Sequence, residues 1–209
     1  MTAKKIHVLE HPLKGTFLKL LRDKHSAPDV FRAQVKRLGH LLAVEITRDL
    51  DVKAQSFETP IYETQEDVLC QNIAVVPILR AGIGLVDPFL DFLPNAQVHF
   101  LGMYRDEQTH EPVSYYNKLP DQPNIDVAYV LDPMLATGGS AIMTIDTLKE
   151  WGVSKIKFVG LIGAPEGVKA LHDRHPDVDV YLAAQDERLN ENAYIVPGLG
   201  DAGDRIFNS

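Results

Sequence analysis

One stretch carries residue types suited to holding a phosphate: Asp132, then Pro133, Met134, Leu135, Ala136, Thr137, Gly138, Gly139 and Ser140. The glycines let backbone N–H groups come close to a ligand, and Thr137 and Ser140 add hydroxyl donors. An apolar run, Ala128 to Leu131, precedes Asp132, and Ile142, Ile145 and Leu148 recur at helical spacing after Ser140. The order is strand, loop, helix, with the helix N-terminus supplying unpaired donors and the positive end of its dipole. Each charge-assisted hydrogen bond in such a cradle contributes about 1.5–3 kcal/mol, so several together hold a small sugar phosphate against the cost of association. Taken alone, the same letters also fit an ordinary strand-to-helix turn capped by Ser140.

Two arginines have the charge and shape for a diphosphate. Arg80 follows the apolar run Ile73-Ala-Val-Val-Pro-Ile-Leu79 and precedes Ala81 and Gly82. A guanidinium at the end of a buried strand binds two oxygens at once through its fork, though a surface arginine after a strand fits these residues as well. Arg105 opens a polar segment reaching Lys118, which reads as a hairpin over a site or as a solvated loop. Near the C-terminus, Gly198-Leu-Gly200-Asp-Ala-Gly203 matches the dinucleotide pattern G-x-G-x-x-G, but only six residues follow. That leaves no room for the helix, strand and acid the pattern requires. Such a loop instead exposes backbone donors and acceptors to a flat ligand, or is a plain glycine-rich turn.

These residues need elements to position them. Strands are expected at residues 72–79, ending near Pro77, which has no N–H for a ladder, and at Gln97–Tyr104, 126–131, Lys155–Ala164 and Val178–Ala184. A helix follows Ser140 and another starts at Pro165 and Glu166. Alternating strands and helices imply an α/β fold: a doubly wound, mostly parallel central sheet flanked by helices. Ligands in such folds sit beyond the carboxyl ends of the strands, where Asp132, Arg80 and Arg105 all fall. Residues 1 to about 50 read as a helical extension, first with Phe17, Leu18, Leu20 and Leu21, then with a longer helix N-capped by Ser26. Residues 51–67 read as a short hairpin or loop. His172 and His175 are three apart, but no further ligand cluster is near, and no metal-binding residue is assigned. The organisation expected is a single domain over 1–209: the extension at 1–50, the core sheet at 68–185 and a C-terminal loop region at 190–209.

The chain has 209 residues, 45% of them hydrophobic, and a formal net charge of −8. That acidity argues against nucleic-acid binding, which wants a basic face. Cys70 is the only cysteine, so no intrachain disulfide forms. The first residues carry no apolar stretch of signal length, and the longest apolar candidate, Ile73 to Val86, is broken by Arg80. A cytoplasmic protein with no membrane partner is expected.

The stretch Val130 to Ser140 resembles the ribose-5-phosphate loop of the type I phosphoribosyltransferases, and more narrowly that of the uracil phosphoribosyltransferase family. Many type I relatives have a second acid after the first; here Pro133 stands in that place, a departure the uracil branch shares. The resemblance covers most of the chain and is strongest at 75–84, 102–106, 130–140 and 194–207.

The resemblance implies transfer of ribose 5-phosphate from 5-phospho-α-D-ribose 1-diphosphate to N1 of uracil, giving UMP and diphosphate. It places Arg80, Arg105, Asp132 to Ser140 and Asp201 on the phosphoribosyl donor, with Arg105 and Asp132 catalytic. It places Ile195, Gly200, Asp201 and Ala202 on uracil. It also implies Mg²⁺ as cofactor, homodimers or higher homo-oligomers, GTP as an effector in some members, and a non-proline cis peptide in the loop of Arg80. Two alternatives stay open: a nucleotide-sensing RNA-binding regulator of the same fold, and an enzyme of that fold taking a purine or orotate. For orotate's carboxylate, Arg205 is the available cation.

Overall fold

A computed structural model describes residues 6–105, 112–117, 119 and 123–209, with backbone alone for 103–105 and 112–117. The chain opens with β1 (Ile6–Val8), α1 (Lys14–Arg22), α2 (Pro28–Ile46) and a hairpin of β2 (Val52–Glu58) and β3 (Glu63–Leu69). There follow β4 (Ile73–Leu79), a 3-10 turn at Ala81–Leu85, α3 (Val86–Leu90), β5 (Gln97–Val98), β6 (Leu101–Arg105) and β7 (Pro112–Asn117). The second half holds β8 (Val127–Leu131), β9 (Met134–Leu135), α4 (Gly139–Trp151), β10 (Lys155–Gly163), α5 (Pro165–Arg174) and β11 (Asp179–Gln185). It ends with β12 (Arg188–Leu189), β13 (Ile195–Val196) and α6 (Ala202–Phe207). None of the described helices is long and apolar enough to cross a membrane.

The main sheet runs β1-β11-β10-β8-β4-β6-β7 and is parallel except for β7, which returns antiparallel to β6. Side chains alternate across it. Val75, Tyr129, Leu131 and Val159 face one cluster with Phe31, Val35, Leu38 and Leu42 of α2. Val76, Ala128, Val130 and Phe158 face the other with Ala141, Ile145 and Leu148 of α4 and Val168 and Leu171 of α5. Burying each large apolar side chain contributes about 1.5–3 kcal/mol, so both faces are locked and the strand ends are held in register. This is the doubly wound, mostly parallel architecture expected.

Four local expectations differ from the structure. β4 runs through Pro77 to Leu79, because Pro77 is where its neighbours change: pairing with β8 ends at Pro77–Leu131, and pairing with β6 begins at Ile78–Leu101. The expected strand 97–104 is broken at His99–Phe100. His99 N–H donates to the Val75 carbonyl (3.0 Å), and Pro77, two residues on and facing the same neighbour, has no N–H to continue that ladder. The mostly helical N-terminal region also carries an unforeseen edge strand, β1, on β11. Ser26 is not the N-cap of α2: Ala27 holds that position, and the Ser26 hydroxyl donates back to the Leu20 carbonyl (2.6 Å), closing the α1–α2 turn.

Candidate active site

The loop after β8 is pinned along β10. Asp132 N–H donates to the Val159 carbonyl (3.0 Å), and the Pro133 carbonyl accepts from Leu161 and Ile162 (2.9 and 3.1 Å). Met134 and Leu135 then pair with Ile162 and Gly163. The side chains of Pro133 and Leu135 turn into the protein, so only their backbone is available to a ligand. Gly138 takes φ +85°, a left-handed conformation, at the N-cap of α4. Ser140 lies inside that helix and does not cap it, and no side chain caps α4. The first-turn N–H groups and the Thr137 and Ser140 hydroxyls surround a hollow of about 100 Å³ lined by Asp132 and residues 134–141. Its donors, its helix dipole and its size suit one phosphate group.

A second hollow of about 210 Å³ shares Asp132, Met134 and Ser140 with the first and adds Arg80, Ala81, Asp201 and Gly203. It is the continuation of the cradle toward the carboxyl end of β4. The Leu79–Arg80 peptide bond is cis, as the resemblance implies. Arg80 is more than half exposed, donates to Asp204 (3.2 Å) and approaches the Ser209 hydroxyl (3.5 Å). Burial pushes the Asp132 carboxyl up to about 7, the negative charge of Asp201 adds to that, and a hydrogen bond from Met134 N–H works against it. A cationic ligand or metal in this groove would return Asp132 to its ionised form.

The C-terminal loop reaches the same groove. Asp201 caps α6 by accepting from Asp204 N–H (2.9 Å) and lines the hollow. The side chains of Ile195 and Ala202 are buried and Gly200 is exposed at φ +79°, so this loop presents mainly backbone groups. Arg205 does not face the groove. Its guanidinium donates to the carbonyls of Leu21 (2.6 Å), Leu199 (2.8 Å) and Asp23 (2.6 Å) and lies 4.3 Å from the Phe31 ring. It is therefore committed to holding the loop, which removes the cation an orotate carboxylate would need.

The structure thus brings together Arg80, Asp132 to Ser140 and Asp201, while Ile195, Gly200 and Ala202 form the loop beside them. Arg105 ends β6, and Leu101 and Gly102 of that strand pair with Ile78 and Leu79 just before Arg80; its side chain lies outside the described residues. Residues 106–111 and 118, the rest of the expected covering hairpin, also lie outside them, though β6 and β7 pair as its two limbs. Asp204, Arg22 and Asp186 escaped the sequence reading. An acid just past the carboxyl end of β11 was the signal for Asp186; nothing local marked the others. His172 bonds the Val178 carbonyl and stands 2% exposed in the core, a structural role. Larger hollows lie elsewhere, one of about 570 Å³ beside β1 and α2, but they lack the converging phosphate donors that single out this groove.

The family model for uracil phosphoribosyltransferase matches residues 8–209. A curated uracil phosphoribosyltransferase from Roseiflexus castenholzii is 52% identical, the match covering 99% of both chains. Another from Lactiplantibacillus plantarum is 53% identical over 98% of this chain and 99% of its own. Among solved structures, the AQ2163 protein from Aquifex aeolicus superposes with TM-score 0.91 at 36% identity over 97% of each chain. A hypoxanthine-guanine phosphoribosyltransferase from Bacillus anthracis shares the fold, with TM-score 0.52 at 15% identity over 76% of this chain and 80% of that one.

Proposed function

The chain belongs to the uracil phosphoribosyltransferase family, and on that premise we propose how this groove performs the transfer. The enzyme moves ribose 5-phosphate from 5-phospho-α-D-ribose 1-diphosphate to uracil, giving UMP and diphosphate. The uracil N1–C1 bond forms, the C1–O bond to diphosphate breaks, and the N1 proton passes to solvent. The convergence of Arg80, Asp132 and Asp201 on a groove that ends in the phosphate cradle carries this reading.

The cradle of Thr137 to Ser140 fits the 5-phosphate, fixing C1 over Asp132. Asp132, ionised once cations enter, favours the positive charge that develops on the ribose as the C1–O bond lengthens. Arg80 and Arg105 bind the leaving diphosphate. Uracil offers acceptor, donor, acceptor along O2, N3–H and O4, and the backbone of Ile195, Gly200, Asp201 and Ala202 answers it. Cytosine puts an amine against a backbone N–H there, and a buried donor left unpaired is heavily penalised. Positioning and leaving-group stabilisation carry the rate.

Mg²⁺ fits this groove by donor chemistry: the carboxylates of Asp132 and Asp201 both line the hollow beside Arg80 and would face the cation. When bound with the donor's phosphates and water it neutralises diphosphate charge, needing no dedicated protein cage. A homodimer or higher oligomer is also proposed, supported by the exposed β2–β3 hairpin, whose tip presents Ile61 and Tyr62 at 86% and 66% exposure. GTP activation rests on the family alone and is read by adding GTP to the same assay.

The test is UMP formation from labelled uracil, donor and Mg²⁺, beside cytosine, orotate and hypoxanthine, with wild type and Arg105→Ala. Product from uracil alone, sharply reduced in the variant, supports both the base and the diphosphate assignments. No product from any base, with tight UMP binding retained, overturns the enzyme reading in favour of a regulator.

A further inference from the structure

The base-reading loop is built on the last turn of α1. Arg22 donates through Nη1 and Nη2 to both carboxylate oxygens of Asp186 (2.7 and 2.5 Å), and Nη1 also donates to the Gly198 carbonyl (2.8 Å). Asp186 accepts from Gly198 N–H (2.9 Å). Both backbone groups of Gly198 are thus held by one ion pair whose members lie 164 residues apart. The Asp186 side chain is 2% exposed and that of Arg22 23%, so the pair works where solvent screens it little. Gly198 is the pivot of the loop: at φ +67° it folds back so closely that a Cβ there would sit 2.1 Å from the Ile195 carbonyl. Arg205 fastens the far end of the loop, at Leu199, to the carbonyls of Leu21 and Asp23 beside Arg22.

We propose that Arg22 and Asp186 are positioning residues for base recognition: they set the backbone between Ile195 and Gly200, and so the order of donors and acceptors presented to uracil. The inference rests on the reading that this loop holds uracil. Neither residue lines the phosphate cradle or the hollow beside Arg80. The pair therefore acts on the base and not on the donor. A backbone shift of a few tenths of an ångström at Gly198 misaligns the short hydrogen bonds by which a neutral pyrimidine is told from its amino analogue. Arginine is required at position 22, because one fork must reach two carboxylate oxygens and a carbonyl together, which a lysine ammonium on a flexible stem does not reproduce.

The experiment uses the full-length enzyme with Arg22→Lys and Asp186→Asn, measuring KM for uracil and for the donor, kcat, the uracil-to-cytosine preference and the thermal midpoint. The expected result is a rise in KM for uracil of about tenfold with a loss of preference, while KM for the donor stays within about twofold. Arg22→Lys keeps the charge and leaves Asp186 paired, so it stays informative if Asp186→Asn fails to fold. A purely structural role instead lowers the active fraction, reducing kcat with both KM values unchanged, and that pattern in the folded variants overturns the proposal. Wild type that ignores uracil overturns the functional reading itself; wild type that uses uracil, with variants of unaltered KM for it, overturns only this inference.

Discussion

The Arg80 guanidinium and the Asp204 carboxylate meet at 3.2 Å, joining the segment after β4 to the C-terminal helix of a chain in which they lie 124 residues apart. Both are more than half exposed, so the pair contributes no more than about 0–1 kcal/mol to stability. Its interest is functional. On the proposed role of Arg80, the donor's diphosphate competes with Asp204 for the guanidinium. Asp204→Asn is expected to lower KM for the donor about two- to fivefold at low salt, the gain shrinking as salt screens it. Steady-state kinetics at two ionic strengths checks this; a raised KM would mean that Asp204 orients Arg80 for the donor.

Asp132 couples function to a stability cost. Its folded-state carboxyl lies at about 7 against 3.8 for an ordinary aspartate, so the folded protein holds this proton more tightly than the unfolded chain. The sign follows: stability from this group is full below about pH 4, falls as pH rises to about 7, and stays reduced above it. The loss is on the order of a few kcal/mol. Asp132→Asn should melt higher than wild type near pH 8 and match it near pH 4, while losing most transferase activity. Thermal melts at both pH values decide it, and a lower midpoint at pH 8 would contradict the sign.

Gly167 is where α5 touches the loop after β8. A Cβ there would lie 2.2 Å from the Ala136 carbonyl oxygen and 2.8 Å from that of Leu135. Gly167→Ala must therefore push the loop off β10, costing about 1–3 kcal/mol as other overpacking does. Donor KM should rise about tenfold or more while uracil KM changes little. Calorimetry with the donor alone is a second reading of the same displacement.

Lys157 stands fully buried at the opposite end of the sheet. Its ammonium donates to the Ile46 carbonyl (2.9 Å) and to Asp49, and lies 5.4 and 5.9 Å from the rings of Tyr181 and Tyr129. Burial lowers its pKa, and the hydrogen bond it donates to Asp49 opposes that. Asp49 is half exposed, so removing the lysine strands no buried charge. Lys157→Met, which fills the volume, should cost less than about 1.5 kcal/mol, and Lys157→Ala, which opens a cavity, about 2–4 kcal/mol. Urea denaturation of both variants separates volume from charge; equal losses would assign the stabilisation to the charge.

Local order was legible in the letters. The letters around Asp132 to Ser140 announced strand, loop and helix, and those before Arg80 announced a buried strand, because backbone freedom and apolar runs are properties of adjacent residues. The dinucleotide letters at Gly198–Gly203 fall between the two-residue strand β13 and the short helix α6. Family-level resemblance then supplied the base, which no spacing revealed.

What tertiary structure alone decided is which distant groups share one volume. Arg205 looked available to a ligand and is instead spent on Leu21, Asp23 and Leu199. Pro77 promised the end of a strand and marks a change of neighbours. Arg22 read as one more basic residue in a helix until folding set it on Asp186 and Gly198. For the two arginines the physical reason is the same. A local rule sees the few residues that share a turn, whereas a buried charge finds its partner wherever packing leaves one, and here that partner lay at the far end of the chain.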